Sequence, residues 1–507
     1  MKSHQSQRLK EERKVVLMKK LFALLLSAAL LLSCASALAE GTDKSTLPRV
    51  IITTDMEVDD ANGILLTLMY ANEMDLAGLV STGGMWHFNG DGEHTLGEIT
   101  SNYRCNVVDA DKLTEFRPAE PNQIARFIRT FYTEDYEYLR QNNPDYPTPE
   151  ELMAIYAEGN TAFEGDVRFD TDGSNLIKAA MLDDDMRPLY IHHWGGSNTT
   201  CRALLSIYEE YHDTDKWDEV LAKVVGKVVM VGEGEDYCVE NTGVKDLFPG
   251  LQFGGLNSFF SYPSYGAAAG ENAPYYVKSA YLLDAFKRNH GQVLGHLYLM
   301  DDGQVIYGEP MVAQYGLKTW VDWKELMPNY SNSSYLPFVP RWDMESYDWM
   351  CSQFSSEYIN VGLRQDVNNR GGNFTEMMFE ELAARADWAI MPYDQCNHAP
   401  VVTADALDCT AAPGAVVSLS GSASDPDGNE LTVSWYVPAY ACKYAAKTAE
   451  DGTVFEFEVP VTADGYAAQL TIPEDAQQGD VFVVNMQVKD QAERPMTRFA
   501  QFVTTVE

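Results

Sequence analysis

Basic residues are scarce. The 507-residue chain holds 37 Lys and Arg against 75 Asp and Glu, a formal charge of −38. Seven of the basic residues and two of the acidic ones lie within the first 39 positions, so the remainder is more acidic still. A surface this poor in positive charge repels phosphate backbones and anionic headgroups, which argues against nucleic acid or a membrane surface as a partner. Cysteine is sparse as well. Beyond Cys34 there are Cys105, Cys201, Cys238, Cys351, Cys396, Cys409 and Cys442, with no CxxC pair and no zinc-like spacing. An odd, dispersed set is neither a disulfide scaffold nor a zinc ribbon, and Cys409 with Cys442 is the one pairing that the last segment offers. After Leu32 no apolar run reaches the length that spans a bilayer. The chain also lacks a P-loop, a GxGxxG after a strand, a GxSxG and an HExxH. What is present is 45% hydrophobic and 22% charged residues, the composition of a chain with a packed core, at a length that fits two or three domains. The 28 Tyr and 9 Trp suit sugar-stacking surfaces, though a large core consumes aromatics too.

The N-terminus reads as an export signal. Met18-Lys19-Lys20 opens a short basic region, and Leu21 to Leu32 is almost unbroken Leu and Ala, the length of a signal-peptide core. Ala37-Leu38-Ala39 supplies the small-x-small cleavage pattern, so residues 1–39 are read as signal peptide and Glu40 as the mature start. Residues 1–17 look like an over-extended start upstream of Met18. Leu32-Ser33-Cys34 is a rival, lipoprotein-like site, but Leu two places before the cysteine is unusual there. Secretion is the expectation; a membrane enters only through a lipid on Cys34.

From Leu47 to about Ala389 strand and helix patterns alternate. Val50 to Thr53 is a β-branched run, and a helix is predicted from Asp59 to about Asn72 on the spacing of Ile64, Leu65, Leu68 and Met69. Further strands are predicted over Leu76–Ser81, Leu189–His192 and Val224–Val231, with a helix from Thr199. This alternation predicts an α/β domain, a mostly parallel sheet with helices on both faces, over residues 47–396. In such sheets ligands sit off the carboxyl ends of the strands. Residues 86–185, with helical stretches at Pro121–Tyr132 and Pro149–Ala157, read as an insertion around the site. From His398 the helical pattern stops. Short alternating segments around Val417, Leu431, Phe455, Ala468, Val481 and Phe502 predict an all-β, immunoglobulin-like sandwich over residues 398–507.

Thr54-Asp55-Met56-Glu57-Val58-Asp59-Asp60 carries the chemistry. Four carboxylates within six residues, just past a strand, suit a hard cation that takes several oxygen ligands. The plainer account has Asp59 capping the helix and Asp60 complementing its dipole. That leaves Asp55 and Glu57 unexplained. Asp183-Asp184-Asp185 reads as a solvated loop. Glu233-Gly234-Glu235-Asp236 follows a strand and faces the same rim, making Glu235 a substrate-side candidate. Asp425-Pro426-Asp427-Gly428 reads as a turn more than as a second calcium site.

The segment Val50 to Leu66 resembles the signature of calcium-dependent nucleoside hydrolases, D-x-D-x-x-x-D-D after the first strand. The resemblance implies that Asp55 and Asp60 bind Ca²⁺, that Asp59 hydrogen-bonds a substrate hydroxyl, and that Asp55 activates the attacking water. Trp194-Gly195-Gly196-Ser197-Asn198-Thr199 is similar to that family's strand-end turn, which would make the Trp194 carbonyl a metal ligand and Asn198 a substrate contact. The match is closest to an exported bacterial subgroup labelled cellulose-binding, with a C-terminal β-sandwich. Gly90-Asp91-Gly92-Glu93-His94-Thr95, Tyr146-Pro147-Thr148 and Asp425-Pro426-Asp427-Gly428 also match it.

The departures are specific. Thr53 stands where the family has its first acid, Met85 where an Asn reads ribose, and Gln292 where a late aspartate completes the metal shell. Met85, Trp86, His87 and His193 are the remaining substrate-side candidates, with His193 at a strand end beside Trp194. The expectation is an exported, Ca²⁺-dependent hydrolase cleaving an N- or O-glycosidic bond of a small sugar or nucleoside-like substrate. The competing expectation is a polysaccharide-binding protein that keeps the fold without turnover. The family commonly forms oligomers, while insertions of this size stand against the same faces.

Overall fold

The computed structural model describes residues 44–84, 87–99, 112, 114–116, 118–232, 238–254, 279–297, 339–341, 348–350, 374–404, 406–438, 442–448 and 457–507. Strand β1 (Arg49–Thr54) is followed by helix α1 (Val58–Met69) and strand β2 (Asp75–Ser81). Then come α2 (Thr133–Asn142), β3 (Tyr156–Glu158), α3 (Asp172–Leu182), β4 (Leu189–Trp194), α4 (Asn198–Tyr211), α5 (Trp217–Lys227), β5 (Val228–Val231) and β6 (Gln252–Gly254). The six strands form one sheet in the order β3-β2-β1-β4-β5-β6, and every neighbouring pair is parallel. The chain winds outward from β1 in one direction, then returns to β4 and winds in the other. The carboxyl ends of β1 and β4 therefore flank a topological switch point, where loops diverge and leave a crevice.

Both faces of this sheet are covered, so its strands are apolar on both sides. Val50 and Ile52 of β1, Val229 and Val231 of β5 pack with α1, α2 and helix α6 (Phe374–Trp388). Ile51, Leu189, Ile191, Val228 and Met230 pack on the other side with α3, α4 and α5. The α/β expectation holds in this arrangement. Three local readings change. The run from Val224 is helical to Lys227 and extended only from Val228, because a short apolar stretch carries no period that separates a buried helix end from a strand. Residues 86–185 are more than an insertion: they include β3, paired with β2, and its return helix α3. Thr148 and Glu151 form a capping box that starts the Pro149–Ala154 helix, and the chain turns extended straight after it, so the predicted helix stops before Tyr156.

Asp183, Asp184 and Asp185 are not merely solvated. Asp183 pairs with Arg49 and with the fully buried Lys227 (2.7 Å), Asp184 with Lys223 (2.9 Å), and Asp185 with Arg187 (2.7 Å). Lys227 Nζ also donates to the carbonyls of Asp183 and Asp185, both at 3.0 Å, so its three protons are used. The acids tie the amino-terminal edge of the sheet to the end of α5.

The C-terminal segment is a β-sandwich of two four-stranded sheets. One pairs Asp408–Ala411, Thr497–Val506, Val481–Asp490 and Leu431–Tyr436; the other pairs Val461–Asp464, Ala467–Thr471, Val416–Ser424 and Val401–Ala404. Cys409 and Cys442 are not bridged. Cys409 Sγ lies 3.3 Å from the Thr504 hydroxyl, while Cys442 Sγ faces the Pro438 carbonyl at 3.5 Å. Part of the segment predicted as a strand around Phe455 lies outside the described residues. Asp425 accepts from the amides of Asp427 (3.0 Å) and Asn429 (2.8 Å), the turn that was expected.

The two halves meet through charged and aromatic side chains. Glu381 of α6 is fully buried and takes Arg385 Nε at 3.0 Å and Arg498 Nη1 of the sandwich at 2.5 Å. Arg385 also pairs with Glu73 and donates to the Met69 carbonyl (3.1 Å) and Asn72 Oδ1 (3.0 Å), at the end of α1. His398, at the junction, stacks on Tyr393 (3.8 Å between centroids) and lies against Asp427 and Asn142, at 3.0 and 3.1 Å from its two ring nitrogens.

Candidate functional site

The switch-point mouth is built from three strand ends. β1 delivers Asp55, β2 delivers Gly83-Gly84, and β4 delivers Gly195-Gly196. The Asp55 amide donates to the Trp194 carbonyl (3.1 Å), which carries the β1–β4 ladder one step past the strands. The Asp55 carboxylate, in a residue only 3% exposed, lies between the glycines. A methyl group on Gly84 or on Gly195 would sit closer to its oxygens than any non-bonded pair of heavy atoms, and one on Gly196 would strike the Gly83 carbonyl. Gly195 also has φ +94°, a region that side-chain-bearing residues rarely adopt. The glycines are there because two turns and a carboxylate share this volume.

The next residue is strained. Met56 is buried with φ +61°, uncommon for any residue but glycine, and its amide donates to Thr54 Oγ1 at 2.9 Å. This kink turns the chain so that the Glu57 amide reaches Asp55 Oδ1 at 3.2 Å. Glu57, not Asp59, is the N-cap of α1, and its side chain makes no capping bond. Asp59 and Asp60 thus lie inside the first turn, where the helix dipole favours negative charge. Asp60 is buried at 2% exposure. The side chain of Asp59 lies outside the described residues, as do Met85, Trp86 and Glu235.

Polar residues beside the mouth serve as braces. Thr53, on the family's first acidic position, sends its hydroxyl toward the His192 and Gly196 carbonyls (3.3 and 3.4 Å). Asn198 opens α4 fully buried, donates to the Gly83 and Phe163 carbonyls at 2.8 Å each, and accepts from the Gly165 amide at 2.6 Å. It clasps the Gly83 turn and the 163–165 stretch to the start of α4. His193 is fully buried, with Nδ1 3.1 Å from the Val231 carbonyl and Nε2 3.0 Å from the Thr200 hydroxyl. Both ring nitrogens are used within the fold. His87 and Trp194 are buried too. Gln292 is tied through its backbone: its main-chain N–H, with that of Val293, donates to the Asp135 carboxylate at 2.7–2.8 Å. Burial pushes the Asp135 carboxyl up to about 6.

Burial holds the His193 imidazole down at about 4. The unfolded chain takes up that proton near its ordinary value of about 6.5, so stability is lost as the pH falls from about 6.5 toward 4, by up to roughly 3 kcal/mol. Urea unfolding of wild type and His193→Gln, compared at pH 7.5 and 4.5, should show a steeper loss in the wild type. Equal losses would remove His193 from the pH dependence.

Asp55 and Asp60 are hard oxygen donors, and both are buried at the same strand end, which fits the chemistry of a divalent cation such as calcium. Among the described residues no group of three or more His, Cys, Asp or Glu is gathered to hold a metal.

Comparison with known proteins bears on the fold and the family. Residues 49–298 match the family described as "Cellulose-binding Sde182, nucleoside hydrolase-like domain", and residues 416–506 match "Cellulose-binding protein Sde0182, C-terminal domain". A solved structure of a nucleoside hydrolase-related hypothetical protein from Saccharophagus degradans, associated with carbohydrate metabolism, is similar in fold. It shares 22% identity over 91% of this chain and 100% of its own, with a TM-score of 0.60. Murine CRIg matches 22% of this chain and 99% of its own at 11% identity and a TM-score of 0.15. No protein with a curated description matches. With a nucleoside hydrolase-like α/β domain joined to the matching C-terminal sandwich, the chain belongs to the Sde182 nucleoside hydrolase-like family.

Proposed function

We propose that this is an exported, Ca²⁺-dependent hydrolase that cleaves a glycosidic bond, N- or O-linked, of a carbohydrate substrate. The observation that carries the reading is the Asp55 carboxylate, seated in a glycine-walled mouth at the switch point with Asp60 in the adjoining helix turn. Asp55 and Asp60 would hold the cation together with the Trp194 carbonyl, which also accepts from the Asp55 amide. A bound calcium would position and acidify the attacking water. Asp59 would hold a sugar hydroxyl, and the carboxylates as a group favour the positive charge that develops on the ring as the bond breaks. Export rests on residues 18–39. A carbohydrate substrate rests on the cellulose-binding family description.

A screen of nucleosides and aryl glycosides tests this, run with calcium, with chelator and beside Asp60→Ala. Turnover is expected to fall at least about 100-fold in both treatments, the size of effect seen when transition-state charge stabilisation is removed. Turnover that ignores both would sink the reading. The second reading, a polysaccharide-binding protein without turnover, draws on Asn198 and His193, whose polar atoms are spent inside the fold. Absence of turnover together with polysaccharide pull-down that survives Asp60→Ala selects it.

A further inference from the structure

The Gly90-Asp91-Gly92-Glu93-His94-Thr95 loop has no part in the chemistry above, yet it is built against the mouth. The amides of Asn89 and Gly90 donate to the carbonyls of Thr161 (2.8 Å) and Ala162 (2.7 Å). Asn198 then joins the 163–165 stretch to Gly83, one residue from the Asp55 cradle. On this scaffold Asp91 takes His94 Nδ1 at 2.7 Å and Arg168 Nη1 at 3.1 Å, while Asp166 takes Arg168 Nε at 2.7 Å. The guanidinium lies 4.7 Å from the Phe163 ring centre and 5.6 Å from that of Phe169, and His94 meets Phe163 edge-on at 5.8 Å.

Phe169 is 68% exposed, the most exposed large apolar side chain among the described residues. Its backbone is held all the same. Asn160 Nδ2 donates to the Phe169 carbonyl (2.9 Å), and Arg202 grips Asp170 (2.6 Å) and the Val167 carbonyl (3.2 Å). A bare aromatic ring on a rigid loop offers an apolar face whose burial is favourable and costs little ordering. The neighbouring charges choose the ligand. Arg168 is outnumbered by Asp91 and Asp166, so an anion finds no net positive charge, and the carboxylates already spend oxygens on Arg168 and His94. A pyranose ring suits both features, with C–H groups on its face for the aromatic and hydroxyls on its rim for the carboxylate and guanidinium.

We propose that Phe169, Phe163, Arg168, His94 and Asp91 form a stacking platform for a neutral pyranose chain beside the Asp55 mouth. This deepens the hydrolase reading, from which it takes only that the ligand is a carbohydrate.

The test uses the mature full chain in pull-down on microcrystalline cellulose and in calorimetric titration with cellohexaose and mannohexaose. Phe169→Ala is expected to weaken retention and affinity by about tenfold, and Phe169→Trp to preserve them. Polygalacturonate, an anionic control, should gain nothing from Phe169. Thermal unfolding of Phe169→Ala should match wild type, because the ring is exposed. Wild-type affinity in Phe169→Ala, or a wild type that retains no neutral glycan, overturns the platform. Chelator and Asp60→Ala are run alongside: turnover lost with them while Phe169→Ala binds normally removes the platform and leaves the hydrolase reading. Binding that depends on Phe169 with chelator-insensitive turnover does the reverse.

Discussion

Replacing Glu381 by alanine should cost about 3–5 kcal/mol of stability, because it removes the buried carboxylate that two guanidinium groups share and leaves Glu73 alone to offset both. Glu381 and Arg385 are both 0% exposed, and Arg498 is 8% exposed. Burial pushes the Glu381 carboxyl up and the Arg385 guanidinium down to about 9, so each charge is held in place by its partners rather than by water. The node joins three parts of the chain: the end of α1 through Glu73 and Met69, α6 itself, and the sandwich through Arg498. Its loss is therefore expected to loosen the junction as well as the fold. Chemical denaturation should show the lower midpoint, and limited proteolysis should cut sooner near residues 390–400. Glu380→Gln is the matched control. Glu380 pairs with Lys489 at 2.7 Å with both side chains partly exposed, an arrangement worth about 1 kcal/mol or less. Equal losses in the two variants would mean that the buried node contributes no more than a surface pair.

The second large effect lies at the mouth. Gly195→Ala puts a methyl group into the Asp55 carboxylate and a side chain on a backbone at φ +94°. The strain alone costs roughly 1–2 kcal/mol, and Asp55 must leave its seat. Calcium affinity, read by calorimetry, and any chelator-sensitive turnover should drop at least about 100-fold, while the protein still folds with a lowered melting point. Gly226→Ala supplies the contrast. Gly226 is exposed in α5 with only the Met186 methyl near by (3.8 Å), so alanine there should leave the function intact and add up to about 1 kcal/mol of stability. Undiminished cation affinity in Gly195→Ala would detach the glycine cradle from the site.

The domain order and the α/β-then-sandwich class were legible in the chain because they are written in local periodicity. Val50 to Thr54 has a strand's apolar run, Ile64 to Met69 a helix's spacing, and the sandwich segments alternate. The placing of Asp55, Asp59 and Asp60 at a strand-to-helix turn was legible as well, since they crowd within six positions of sequence. Short segments escaped. Tyr156–Glu158 is three residues long and follows a helix directly, and Val224–Val231 splits between helix and strand without any change in composition.

Taken by itself, then, the sequence determined which segments alternate, where the carboxylates collect, and that the chain is strongly acidic. Only the tertiary structure decided that β4 lies beside β1, that Gly84 and Gly195 close on Asp55 from either side, and that His193 and Asn198 are consumed as braces. It also set Asp183 on Lys227 and Glu381 on Arg498, 44 and 117 residues apart in sequence. The reason is one of range. Propensity and periodicity act within a few residues, whereas strand order, close backbone approach and the pairing of buried charges depend on which distant segments meet.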